Sequence, residues 1–287
     1  MSDTGVTLVL SGGGAKTAAH VGAARALHEA GILPVRYVAT SMGAVIGAAL
    51  AAGVDGEALL ERLPEIGRRG VARDPLGAVR GIFARALLRP APLRRAIEAI
   101  VPARRFGDLA VPLTVTVTDL DTGELLLYGE GGADAPLLEV LTATCALPVY
   151  FPPHLLDGRR TGDGGLRGPL PLEAAALLAR ETVVAVDVGP GFDLAPPGVP
   201  VSSPAVVRAH DEAVGTLMAT ATAAHLALWR ATPERPALVY VRPRVERSST
   251  FRVGRVHQYA EDGYRAGREA LTRWRGAHLT LPPQGAN

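Results

Sequence analysis

Ser41 stands in the pentapeptide Ala39-Thr40-Ser41-Met42-Gly43, between an apolar run and a stretch of small residues. A serine on a sharp turn from strand to helix projects its hydroxyl, and the crowding of strand against helix leaves room only for tiny side chains two positions either side. Gly43 meets that demand, and Ala39 exceeds it by one methyl. A helix opening at Met42 would aim its positive end at the serine oxygen and favour a developing anion there. The same serine would serve equally as an ordinary helix N-cap.

Upstream, Ser11-Gly12-Gly13-Gly14-Ala15-Lys16-Thr17 follows another apolar run. Lys16-Thr17 ends like a phosphate-binding loop, but the glycines such a loop requires fall at Leu10 and Ala15, which argues against a nucleotide phosphate. A dinucleotide fingerprint would need Gly or Ala at Thr17 and an acidic residue closing the second strand near Ala39. Neither is present. As an oxyanion hole the triplet works directly, because the amides of Gly12, Gly13 and Gly14, with that of Met42, can hold the charged oxygen of a tetrahedral intermediate. A plain glycine turn is the simplest alternative. Lys16 is the only lysine in a chain whose other basic residues are arginines, and it would add positive charge beside an oxyanion or fix the turn.

A nucleophile needs a base. The histidines (His20, His28, His154, His210, His225, His257 and His278) are scattered, and none stands in a signature for a triad base. Asp163 is flanked by Gly162, Gly164 and Gly165, which free the backbone to bring its carboxylate against another turn, although an ordinary turn aspartate would look the same locally. Asp119 and Asp121 resemble paired carboxylates, but Asp119-Leu120-Asp121-Thr122-Gly123-Glu124 has the residues of a hairpin turn, which explains them more simply. The lone Cys145 reads as a small buried apolar residue and fits a reducing compartment. No His/Cys cluster has ligand spacing, so neither metal nor cofactor is expected.

The elements that must position these residues follow from hydrophobic periodicity. Apolar runs at residues 6–10 and 32–39 each feed a helix, at 15–30 and 42–52, giving a βαβα unit with parallel, buried strands. Both turns then open beyond the carboxyl ends of the strands, where open α/β folds place ligands. Further helices are predicted at 54–69, 135–147, 172–180, 205–231 and 256–274, and strands at 113–118, 125–128, 182–188 and 237–241. Residues 70–92 predict an amphipathic basic helix bracketed by Pro75 and Pro90; a helix packed on the core with solvated arginines explains it most simply, and a mobile cap or membrane-facing element is the alternative. The expected class is α/β with a mainly parallel central sheet. A catalytic core would occupy residues 1–188, a Pro/Gly-rich loop 189–204, and helices and a strand of the same domain 205–287.

With 287 residues, 48% hydrophobic and 20% charged, the chain can bury a sizeable core. A net charge of +2, with no basic run interleaved with aromatics, argues against nucleic acid. Met1, Ser2 and Asp3 carry no positive charge, and the apolar run behind them is too short for a signal peptide. No uninterrupted apolar segment approaches the roughly 20 residues of a membrane span. A soluble cytoplasmic protein is expected, with contact at the inner membrane surface through residues 70–92 as an option.

Taken together, Gly12-Gly13-Gly14-Ala15-Lys16, the Ser41 elbow on the next βα unit and Asp163-Gly164-Gly165 resemble the patatin-like phospholipase family. Ala143-Thr144-Cys145-Ala146-Leu147-Pro148 is similar to that family's Ala-Ser-x-x-x-Pro block, and Thr118 to Gly123 to its central hairpin. The resemblance implies a three-layer α/β/α fold and a Ser41–Asp163 dyad without histidine. Lys16, Gly43, Gly164 and Gly165 would support that dyad, and a lipid acyl ester such as a phospholipid or lysophospholipid would be the substrate. Thr17, Ala39 and Thr144 depart from the family's usual Gly, Gly and Ser. The rivals are a soluble carboxylesterase on short esters, a catalytically silent lipid-binding protein of the same fold, a nucleotide-binding ATPase, and an α/β-hydrolase with a Ser-Asp-His triad.

Overall fold

The computed structural model describes residues 4–70, 86–192, 205–246 and 253–279. Its elements in chain order are β1 (Thr4–Leu10), α1 (Ala18–Glu29), β2 (Ile32–Thr40), α2 (Ser41–Ala51), α3 (Gly56–Gly70), α4 (Pro90–Ile100), β3 (Leu113–Asp119) and β4 (Leu125–Gly129). Then come α5 (Leu137–Thr144), β5 (His154–Leu156), β6 (Arg159–Asp163), α6 (Leu172–Leu178), β7 (Val183–Val186), α7 (Ala205–Ala231), β8 (Leu238–Val241) and α8 (Val256–Leu279).

One sheet organises them. β3, β2, β1, β7 and β8 pair successively and all in parallel, while β4, β5 and β6 add antiparallel pairings at the β3 side. The parallel strands are buried on both faces, as their near-continuous Val, Leu and Ala runs require. Leu8, Leu10 and Val186 face one core with α1, α2, α4 and α5, and Val9, Val38 and Ala185 face a second with α6 and α7. Helices on both sides of a mainly parallel sheet are the expected three layers.

The last helix packs on the first with their backbones in contact. A Cβ on Gly22 would lie 1.8 Å from the Ala260 carbonyl oxygen, and one on Gly263 would lie 1.9 Å from that of Ala19. Glycine at these two positions is therefore required by close approach. α8 thereby braces α1, the helix that follows the glycine turn.

Two elements were not predicted: α4, which Pro90 opens, and the β5–β6 hairpin. Residues 71–85, the greater part of the predicted amphipathic helix, and residues 193–204 of the Pro/Gly-rich loop lie outside the described residues. The Asp119 turn is a hairpin as expected: Asp119 Oδ1 accepts the amides of Asp121 and Thr122 at 2.9 and 3.2 Å. Among the described residues no helix is long and apolar enough to cross a membrane.

Candidate active site

The register of β3 brings the two halves of the site together. β4 pairs with Thr114 to Thr118 along one edge of β3, which leaves β2 and β6 to share the other. On that shared edge Thr40 lies opposite Thr116, and Asp163 lies opposite Val117, the next residue. β2 thus ends where antiparallel β6 ends, and Ser41, the residue after β2, meets the last residue of β6. Ser41 Oγ donates to Asp163 Oδ2 at 2.7 Å. The Thr118 hydroxyl also donates to the Asp163 carbonyl at 2.9 Å, tying β6 to β3.

Ser41 has φ of 53°, the left-handed conformation that a side chain adopts at a cost. Three contacts hold it there. The Ser41 amide donates to Thr144 Oγ1 at 2.8 Å, and that hydroxyl in turn donates to the Thr116 carbonyl at 2.7 Å. Gly43 lies so close to the preceding strand that a Cβ would fall 2.3 Å from the Ser11 carbonyl oxygen. The extra methyl of Ala39 is fully buried and packs near Gly47, where an added Cβ would lie 3.5 Å from it, so the elbow accommodates alanine without a clash there.

Asp163 is buried, and its second oxygen, Oδ1, accepts the Gly165 amide at 2.8 Å. Burial disfavours the charged carboxylate and raises its pKa to about 6, while the bonds from Ser41 and Gly165 pull the other way. Gly164 is required by close packing, since a Cβ there would sit 2.2 Å from the Thr116 carbonyl oxygen.

The glycine turn abuts the elbow: a Cβ on Gly12 would lie 3.1 Å from that of Ser41. One expectation needs correcting here. The Gly12 amide donates to the Pro169 carbonyl at 2.8 Å, so it closes the turn instead of offering itself to an oxyanion. The amides of Gly13 and Gly14 have no such acceptor among the described residues. Thr17 donates its hydroxyl to the Gly14 carbonyl at 2.7 Å, a bond within the same turn that glycine at this position could not make. Behind it, Ser11 Oγ accepts the Val188 amide, and the Ser11 carbonyl accepts from His20 Nε2, both at 2.8 Å. A carbonyl only accepts, so Nε2 carries the proton, and burial lowers the His20 pKa to about 4 and keeps the ring neutral.

Lys16 is buried and lines the same cavity as Ser41. Its pKa is lowered to about 8, chiefly by desolvation and then by Arg242, with Asp187 and Glu246 opposing the shift. The cavity has a volume of about 550 Å³. Its floor is the glycine turn, Ser41 and Asp163, and its walls come from Leu147, Tyr150, Pro190 and the N-terminal half of α7, including Val214 and Met218. Tyr150 donates to Asp211 Oδ2 at 2.6 Å and links the α5–β5 loop to α7.

Sequence reasoning missed the roles of Thr144 and Pro169. The signal for Thr144 was its place in the Ala-Ser-x-x-x-Pro block, whereas nothing local marks Pro169. His154 instead pairs with Glu139 at 3.1 Å, and His225 packs against Gly168. Cys145 Sγ lies 4.0 Å from Met42 Sδ, and burial pushes its thiol pKa well up.

The family model for patatin-like phospholipases matches residues 8–176, a span that contains Ser41, Asp163 and the glycine turn. An uncharacterized NTE family protein of Mycobacterium bovis is 33% identical over 198 residues, covering 67% of this chain and 52% of its own length. Patatin-like phospholipase domain-containing protein 6 of Homo sapiens is 30% identical over 189 residues, covering 64% of this chain and 13% of the human protein. Among solved structures, VipD from Legionella pneumophila aligns over 95% of this chain and 67% of its own with 16% identity and a TM-score of 0.49. The chain spans about half the length of the mycobacterial relative and a smaller part of the human one.

Proposed function

The chain belongs to the patatin-like phospholipase family, and on that premise we propose that it is a serine acyl hydrolase of lipid esters, with Ser41 as nucleophile and Asp163 as base. The observation that carries the reading is the 2.7 Å hydrogen bond from Ser41 Oγ to a buried carboxylate, made from a left-handed strand-to-helix elbow.

Ser41 Oγ attacks the ester carbonyl carbon as its proton passes to Asp163 Oδ2. The amides of Gly13, Gly14 and Met42 take the oxyanion, with Lys16 adding positive charge from behind the turn. Collapse expels the alcohol, which leaves with the proton from Asp163. Water then attacks the acyl-enzyme, Asp163 again taking the proton, and collapse breaks the bond to Ser41 Oγ, which recovers that proton from Asp163 as the fatty acid departs. An ordinary aspartate near pKa 3.9 is a weak base at neutral pH. A pKa of about 6 leaves Asp163 ionised and more basic.

Phospholipids or lysophospholipids are the substrate class, on the family's name and the apolar walls contributed by Leu147, Val214 and Met218. A cytoplasmic location belongs to the same reading, as does membrane contact through residues 70–92. A fluorophosphonate probe tests the chemistry: wild-type protein is labelled at Ser41, Ser41→Ala is not, and Asp163→Asn is labelled far more slowly. Folded wild-type protein that resists the probe would sink the proposal.

A further inference from the structure

Three neighbouring strands deliver their next residues to the back of the glycine turn. Leu10 lies opposite Val186 and Val186 opposite Val241, so Ser11, Asp187 and Arg242 leave β1, β7 and β8 side by side. The Ser11 amide donates to the Val186 carbonyl at 3.1 Å, and the Asp187 amide to that of Val241 at 2.9 Å. Residues 187–189 are the surface on which the turn rests. Val188 donates its amide to Ser11 Oγ at 2.8 Å, and a Cβ on Gly13 would lie 2.7 Å from Val188 Cγ2 and 3.1 Å from the Val188 carbonyl oxygen. A shift of Val188 therefore moves Gly13, whose amide the hydrolase reading assigns to the oxyanion.

A buried ion pair fixes Val188 from both sides. Arg242 Nη1 lies 3.0 Å from the carbonyl oxygens of Asp187 and Gly189 and 3.1 Å from Asp187 Oδ2. Asp187 Oδ1 accepts the Gly189 amide at 2.9 Å, and Oδ2 accepts the Tyr240 hydroxyl at 2.7 Å. Exchange of a buried ion pair for apolar residues of the same volume is often neutral for stability, so stability alone does not account for this one. The same pair sets the field at Lys16, which among the described residues has no ion-pair partner of its own. Arg242 disfavours its ammonium, and Asp187 and Glu246 favour it. Glu246 is itself tied to Arg255 and faces Tyr259 of α8; His20 on α1 is neutral, and Asp163 stands across the cavity. An ammonium with no carboxylate in contact keeps its charge for an oxyanion.

We propose that Arg242 and Asp187 are positioning residues for acyl transfer: they brace the glycine turn from behind and hold the Lys16 ammonium in their shared field. The inference rests on the hydrolase reading of Ser41. Asp187, Val188, Gly189, Tyr240 and Arg242 all lie beyond residue 176, where the family match ends, so the brace gives the C-terminal part of the chain a share in the reaction. A guanidinium suits the task because its fixed fork reaches several oxygens at once, which a lysine ammonium on a flexible stem does less well.

Lys16 is the only lysine of the chain, so protein labelled with carbon-13 at lysine Cε gives a single resonance whose titration reads this ammonium directly. Wild type should titrate at about 8. Arg242→Gln removes a positive neighbour and should move the midpoint up by about one pH unit; Asp187→Asn keeps the shape, removes a negative neighbour and should move it down. The upper limb of the acylation profile on a monomeric short-chain ester should follow the lysine in each. Both variants, with unchanged circular dichroism, should acylate about tenfold more slowly or worse, with KM little changed. Arg242→Lys, which restores the charge without the fork, should return the limb to about 8 and only part of the rate. If Arg242→Gln does not fold, the isosteric Asp187→Asn carries the test alone. A lysine midpoint that ignores the substitutions, or moves the same way in both, overturns the proposal, and so does a wild-type acylation rate in the folded variants. Wild-type protein inert toward fluorophosphonate would instead count against the hydrolase reading, whatever its lysine does, so the two failures remain distinct.

Discussion

Ser41 and Asp163 lie 122 residues apart and meet at 2.7 Å because β2 and β6 abut successive residues on one edge of β3. The contact puts the proton acceptor on the nucleophile before substrate arrives, and burial raises the acceptor's pKa to about 6. Acylation by a monomeric ester should therefore climb with pH through an ionisation near 6, because protonated Asp163 cannot accept the serine proton. Stopped-flow acylation rates across that range check it. A limb near 4, the ordinary carboxylate value, would show that burial does not raise the pKa of the base, and a rate flat across the range in Asp163→Asn as in wild type would show that Asp163 is not the base.

The same burial makes Asp163 a cost to the fold. Its folded pKa lies above the unfolded value, so its contribution to stability is full below about pH 4 and is lost as pH rises through about 6. Asp163→Asn removes the charge and keeps the shape. At about pH 7.5 the variant should be the more stable protein, by at most about 3 kcal/mol, and at about pH 4 the advantage should vanish. Urea unfolding at the two pH values measures it. An advantage of equal size at both would assign the effect to packing.

Thr144 offers a test of the elbow itself. Its hydroxyl accepts the Ser41 amide and donates to Thr116, and its side chain is fully buried. Thr144→Val keeps the volume and strands both partners, which should cost about 1–3 kcal/mol in stability. It should also slow acylation about tenfold to a hundredfold as Ser41 loses its set position. Thr144→Ser should restore most of both. A valine variant with the wild-type acylation rate would show that the left-handed turn holds without the hydroxyl.

Some of this was legible in the sequence. The βα repeats announced themselves by long apolar runs, whereas a helix N-cap and an ordinary turn aspartate would have looked like Ser41 and Asp163 locally, and only the conjunction of the three motifs singled the two out. Hairpin β5–β6 did not announce itself, because Arg159 and Arg160 are exposed and β6 gains its identity from pairing with β3, a contact no local pattern encodes. The insertion of β7 beside β1 is similarly nonlocal. Gly12 was misassigned for the same reason: the carbonyl that takes its amide belongs to Pro169, far along the chain. The local sequence marks a turn rich in donors but cannot say which donors are already spent.

Lys16 provides the last prediction. Its ammonium is buried, chiefly desolvation lowers its pKa to about 8, and it lines the cavity that holds Ser41. A folded pKa below the unfolded one means that the charged form is disfavoured in the fold. Stability from this group is complete above about pH 10.4 and is lost as pH falls through about 8. Lys16→Met should thus be stabilised near neutral pH, by up to about 3 kcal/mol, with the gain fading towards about pH 10.4. A cost of that size is retained where charge serves the reaction. If Lys16 supports the oxyanion, wild-type acylation should decline as pH rises through about 8, giving a bell with its other limb near 6. The methionine variant should acylate about tenfold to a thousandfold more slowly and lose the upper limb. A stabilised variant with the wild-type rate and profile would leave Lys16 as a prop for the glycine turn, with the amides of Gly13, Gly14 and Met42 holding the oxyanion without it.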